Sequence, residues 1–221
     1  MKQKIEKWQR WFNIIYNDTL TVATYRQVFF ELREMVEANA NLRRESLYYT
    51  FVSDTYSTYC LAAMRRQVDL DSDAVSLYRL LKDLRENPSV LTRKWYVSAF
   101  LESANKQRDD STWTRHANSA FDTFAGSGGG VLTVPPLVTD AEALIAAVSA
   151  CKAYVDRRIA HRDHRDPESI PTLSDVHGAI ETVGNLVKKY HLLFRFCTLH
   201  DFTPIMPLGW KEIFRIPWLP S

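Results

Sequence analysis

Tyr154-Val155-Asp156-Arg157-Arg158-Ile159-Ala160-His161-Arg162-Asp163-His164-Arg165-Asp166 is the polar end of an otherwise apolar segment. These thirteen residues hold two of the chain's six histidines, four arginines and three aspartates, a denser set of proton- and phosphate-handling groups than any other stretch offers. Going back along the chain, Leu144, Val148, Cys151, Val155 and Ile159 recur at spacings of three and four, the period of one helix face. Thr139 with Glu142 three residues later reads as a capping box that opens this helix. Asp166-Pro167 closes it, because a proline disfavours helical geometry in the residue before it.

Outward from this helix, the same period repeats. Ile5, Trp8, Phe12 and Ile15 stripe a helix over about 4–16, and Asn17-Asp18-Thr19 reads as a break. A second helix over about 22–40 carries Tyr25, Phe29, Leu32 and Val36. The run from about 44 to 68 is apolar around much of its circumference (Leu47, Tyr48, Phe51, Val52, Tyr56, Tyr59, Cys60, Ala63, Met64), as a helix central to a bundle would be. Shorter helices follow over 76–84, 90–107 and 111–124, separated by Asn87-Pro88-Ser89 and Asp109-Asp110-Ser111. A last long helix spans about 173–196, with Val176, Ile180, Val183, Leu186 and Val187 on its apolar face. No strand-like alternation and no βαβ spacing occur, so the fold class is all-α, a bundle of about six or seven helices in a single domain over 1–221.

Two segments stand outside the helices. Residues 125–139 hold four of the seven glycines together with Pro135-Pro136, and read as a loop or linker. A phosphate loop is excluded there, because neither the Gly-Lys-Ser/Thr ending nor a preceding strand is present. Residues 203–221 hold Pro204, Pro207, Pro217 and Pro220 with Trp210, Phe214 and Trp218. That is too apolar for a solvated tail, and an arm lying on the bundle or on a partner is expected.

The balance of 28 basic against 26 acidic side chains gives a net charge of only +2, so any anion binding must come from local clustering. Cys60, Cys151 and Cys197 are few, odd in number and far apart, which fits buried thiols rather than disulfides. No leader-like segment and no apolar run of about 18 residues are seen, and a cytoplasmic protein without membrane contact is expected.

On a helix, Arg157, His161 and His164 share one face, and Arg158, Arg162 and Arg165 form a basic stripe beside them. Imidazole can move a proton near neutrality. The planar guanidinium fork suits phosphate. Such a face could cleave a phosphodiester, and it could equally be a solvated helix end with pairs such as Arg162–Asp166. A metal site at His161 and His164 is disfavoured by the arginines alongside, and no metal or other cofactor is expected. Arg65 and Arg66 end the 44–68 run, either as dipole-complementing charges or as RNA contacts. His116, His177, His191 and His200 stand alone and read as surface or capping residues.

The stretch Arg157-Arg158-Ile159-Ala160-His161-Arg162-Asp163-His164 resembles the signature region of HEPN domains, specifically the branch found among bacterial abortive-infection proteins. Arg65-Arg66-Gln67-Val68-Asp69 and Ser76-Leu77-Tyr78-Arg79-Leu80-Leu81 are similar to that branch as well, in the same order, so the resemblance spans about 46–195. It implies an antiparallel helical bundle and a homodimer that pairs two copies of the motif in one cleft. It also implies metal-independent RNA endonuclease activity in phage defence or a toxin–antitoxin pair, with an antitoxin or other defence protein as partner. In that motif an arginine stabilises the transition state and a histidine further on, with four to six residues between, assists proton transfer. Related sequences ending Ile-Ala-His place the arginine where this chain has Val155. With His164 as the motif histidine, Arg157 or Arg158 satisfies the spacing, and Arg157 could also serve His161 from one turn earlier. A non-catalytic HEPN-like module that binds RNA or protein is the other reading.

Overall fold

The computed structural model describes residues 1–40, 42, 46–105, 111–160 and 169–216. Among them are seven α-helices: α1 (Lys2–Ala38), α2 (Leu47–Arg66), α3 (Leu77–Glu86), α4 (Arg93–Ser103), α5 (Ser111–Ala125), α6 (Val134–Tyr154) and α7 (Leu173–Arg195). The all-α bundle expected from the periodicity is the fold found, with one isolated bridge, Thr92 to Val131, as the β pairing among the described residues. α6 packs against α7, α3 and α2, and α1 lies across α7, α2 and α3. α4 and α5 form a pair, docked on the bundle through α5 and α7. The core where these helices meet is built from Trp8, Phe12, Leu80, Leu81, Leu84, Leu144, Val148, Val183 and Val187, all sealed from solvent.

Several boundaries differ from the sequence reading. Asn17-Asp18-Thr19 does not break the first helix; α1 is continuous for 37 residues. Thr19 and Thr21 turn their hydroxyls back to the carbonyls of Ile15 and Asn17, which satisfies them inside the helix, and Thr19 is buried. The capping box at Thr139 is not the start of α6. The helix begins five residues earlier at Val134, with Pro135 and Pro136 in its first turn, where a missing N–H costs nothing. Thr139 sits inside the helix and donates to the Pro135 carbonyl. The box is instead present on α7, between Thr172 and Asp175.

The glycine-rich stretch is correspondingly shorter than 125–139, because α5 runs to Ala125 and α6 resumes at Val134. Arg93 of α4 staples this loop. Its guanidinium donates to the Gly129 carbonyl at 2.7 Å, the Asn118 carbonyl at 3.0 Å and the Asp122 carboxylate at 2.5 Å, and lies over the Phe121 ring. Gly129 has no alternative here, since a Cβ would sit 2.0 Å from the Ala125 carbonyl oxygen.

α2 is less central than its apolar circumference suggests. Tyr56, Cys60, Leu61, Ala63 and Met64 are buried, but Leu47, Tyr48 and Phe51 in its first turns are exposed. Of these, Tyr48 borders a groove of about 640 Å³ lined also by Leu32 and Val36 of α1, Tyr49 and Val52 of α2, and Phe214 and Ile216 of the C-terminal arm. The arm is tied to α1 by Lys211–Glu31 at 2.5 Å, while Ile205 and Leu208 are fully exposed. Cys60 and Cys151 are buried thiols as expected, but Cys197, just past the end of α7, is exposed.

By length and composition one helical segment among the described residues, Val134–Ile159, is apolar enough to cross a membrane, with a mean hydropathy of 1.4. The segment includes Asp140 and Glu142, and a single helix of this composition is a weak membrane signal. In the bundle the acidic Asp140 faces protein, accepting hydrogen bonds from Lys189 and Tyr190 of α7, both at 2.6 Å.

Candidate functional site

The site is built on the C-terminal end of α6. Regular α geometry ends at Tyr154, and Val155–Ile159 widens into a π turn closed by the Ala160 amide donating to the Val155 carbonyl at 2.8 Å. An inserted turn of this kind is a recurring device at functional positions. It advances fewer degrees per residue than an α-helix, so the apolar stripe slips out of phase. Val155 stays in the core at 4% exposure, whereas Ile159, expected on the same stripe, is 38% exposed. Arg157 and Arg158 lie half-buried on this turn, and both have interaction partners. His161, His164, Arg162 and Arg165, the other motif residues singled out by sequence, lie outside the described residues.

A charge network joins this turn to α2. The Arg65 Nε donates to Asp156 Oδ1 at 3.1 Å, and its other arm reaches Asp69, one turn later in the chain. The second Asp156 oxygen accepts from Lys152 at 2.5 Å. Burial would raise the Asp156 carboxyl, but the hydrogen bonds from Lys152 and Arg65 outweigh it and hold the group below the usual carboxylate range. Asp69 is also lowered, first by the Asp71 amide and then by Arg65, and Asp156 in turn strengthens the charge on Arg65. The four side chains are between a fifth and a half exposed, so the network borders solvent.

The two arginines proposed as RNA contacts therefore differ. Arg65 is engaged by two carboxylates. Arg66 is exposed, 3.8 Å from Asp18 and over the Tyr59 ring at 6.0 Å. The i, i+4 pairs Arg65–Asp69 and Lys152–Asp156 were readable from spacing; the link from Arg65 to Asp156, 91 residues apart, had no sequence signal.

Two histidines read as isolated surface or capping residues are packed instead. His191 is 8% exposed, and its Nδ1 donates to the Cys197 carbonyl at 2.9 Å. His177 of α7 meets the Tyr56 hydroxyl at 3.0 Å and the Phe30 ring. The sequence signal was its position four after Leu173 and three before Ile180, on a helix face that already carried apolar residues. Burial, and then the nearby Arg26, push the His177 imidazole below its ordinary value of 6.5. The unfolded chain therefore takes up this proton first as the pH falls. The stability that neutral His177 contributes is complete above about pH 6.5 and is lost as the pH drops through its folded value. Urea midpoints at pH 7 and pH 5 are expected to lie closer together in His177→Gln than in the wild type.

The chain belongs to the HEPN_AbiU2 family, whose model, described as AbiU2, matches residues 5–210. It is a HEPN-type module associated with abortive infection. No curated protein and no solved structure matches the chain.

Proposed function

We propose that this protein is an RNA endonuclease of a phage-defence or toxin–antitoxin system. In this reading it works in the cytoplasm as a homodimer, with an antitoxin or another defence protein as partner. His161 or His164 takes the proton from a ribose 2′-OH, and that oxygen attacks the adjacent phosphorus. The 5′-oxygen leaves with a proton returned by a histidine, and a cyclic phosphate remains. Arg157 and Arg158 carry the negative charge that builds on the phosphoryl oxygens. Arg66, Arg162 and Arg165 add sequence-independent phosphate contacts. The observation that supports this reading is the placement of Arg157 and Arg158, half-buried on the π turn, four and three residues ahead of His161 in the sequence.

One observation favours a second reading, a module that binds RNA or protein without cutting. Val155 is packed in the core, so the position where related sequences carry an arginine offers no guanidinium. Incubating purified protein with total RNA in the presence of EDTA separates the two. Fragments that accumulate in proportion to protein are expected. Intact RNA at high protein concentration, with retained RNA binding, would sink the nuclease reading in favour of the binding module.

A further inference from the structure

We propose that Arg65 is a positioning residue: its bond to Asp156 sets the π turn, and through the turn the direction in which Arg157 and Arg158 meet a phosphate. The consequence for activity rests on the nuclease reading above; the clamp itself does not.

The turn carries an apolar anchor to the core and a polar tie to α2. Val155 anchors it to the core at one end, and at the other Ile159 and Ala160 are exposed. Between them, Asp156 is gripped from two directions, by Lys152 one turn back on the same helix and by Arg65 from α2. Lys152 moves with α6 and cannot fix the turn relative to the rest of the bundle. Arg65 can, because Asp69 holds its guanidinium on the α2 side. Asp69 is fixed in turn by the Asp71 amide at 3.1 Å, and its carbonyl accepts from Ser76, the N-cap of α3, at 2.7 Å. A chain of hydrogen bonds thus runs from the α3 N-terminus through Arg65 to the residue immediately before Arg157. Two carboxylates balance the single positive charge of this guanidinium, which favours a role through Asp156 over direct RNA contact.

The test compares Arg65→Ala, Arg65→Lys, Asp156→Asn and Asp69→Asn in the full-length protein. Amide hydrogen exchange is the readout that does not need activity. Exchange at the Ala160 amide is expected to speed up at least about tenfold in Arg65→Ala and Asp156→Asn relative to α7 amides, which report global stability in the same sample. Asp69→Asn, which leaves the Asp156 bond intact, should change it less. Kinetically, Arg65→Ala should lower kcat for RNA about tenfold with KM held, and Arg65→Lys should recover part of the loss. Unchanged Ala160 exchange in both Arg65→Ala and Asp156→Asn would overturn the clamp. A raised KM with kcat preserved would overturn it too, by making Arg65 an RNA contact. If the wild type does not cleave RNA, only the nuclease reading fails, and the exchange comparison still decides for or against the clamp.

Discussion

A His161→Ala, His164→Ala double variant is expected to cleave RNA at least about 100-fold more slowly than the wild type, with RNA affinity little changed. Proton transfer by a positioned side chain is worth about 10²–10⁴ in rate, so removing both imidazoles should take the whole of that factor from kcat. Affinity should persist, because the arginines proposed to contact phosphate remain. The two single variants then assign the roles. If His164 is the motif histidine, Arg157 with six residues between or Arg158 with five satisfies the spacing, and His161→Ala should be mild. If His161 is, Arg157 is the nearest guanidinium, one turn away, and His164→Ala should be mild. Adding Arg157→Ala and Arg158→Ala separately completes the pairing, since each arginine should matter most beside the histidine it serves. Initial rates on a defined single-stranded RNA in EDTA are the measurement. Equal rates for wild type and double variant would mean that any cleavage came from elsewhere.

This experiment matters because the fold and the site were not equally legible in the sequence. The helices were, because each buries a face whose period can be counted. Trp8 and Phe12, or Val183 and Val187, are placed by spacing alone and are found sealed in the core. What misled were local signals that tertiary packing overrides. Asn17-Asp18-Thr19 looks like a break until its threonines are seen to bond the preceding turn. Thr139–Glu142 matches a cap, yet Pro135 and Pro136 start the helix earlier. Leu47, Tyr48 and Phe51 satisfy a core pattern and are exposed. The composition of 154–166 pointed to the C-terminal end of α6, and assuming α geometry throughout put Ile159 on the wrong side. The π turn and its tie to Arg65 depend on a contact between α2 and α6, and periodicity within either helix carries no information about it.

The second large effect concerns what keeps α6 in the bundle. Asp140→Ala is expected to destabilise the protein by about 2–3 kcal/mol, because it strands a buried donor. Asp140 accepts from both Lys189 and Tyr190 on α7. Lys189 is about a third exposed and can turn to water, but Tyr190 is 1% exposed and cannot. Burial, reinforced by Asp140, pushes the Tyr190 phenol upward, so it stays protonated and keeps needing an acceptor. For a chain of this size the loss corresponds to roughly 4–12 °C in Tm. The double variant Asp140→Ala, Tyr190→Phe isolates the cause. Removing the hydroxyl as well removes the stranded donor, so the double variant should be less destabilised than the sum of the two single changes. Strict additivity in thermal or urea melts would mean that the bond contributes nothing, and that α6 is held by the packing of Leu144, Val148 and Cys151 alone. Subadditivity would mark Asp140 as the polar lock that turns the acidic face of this apolar helix onto α7 and fixes its rotation. That rotation carries down the helix to Tyr154, so it also sets the direction from which the π turn starts.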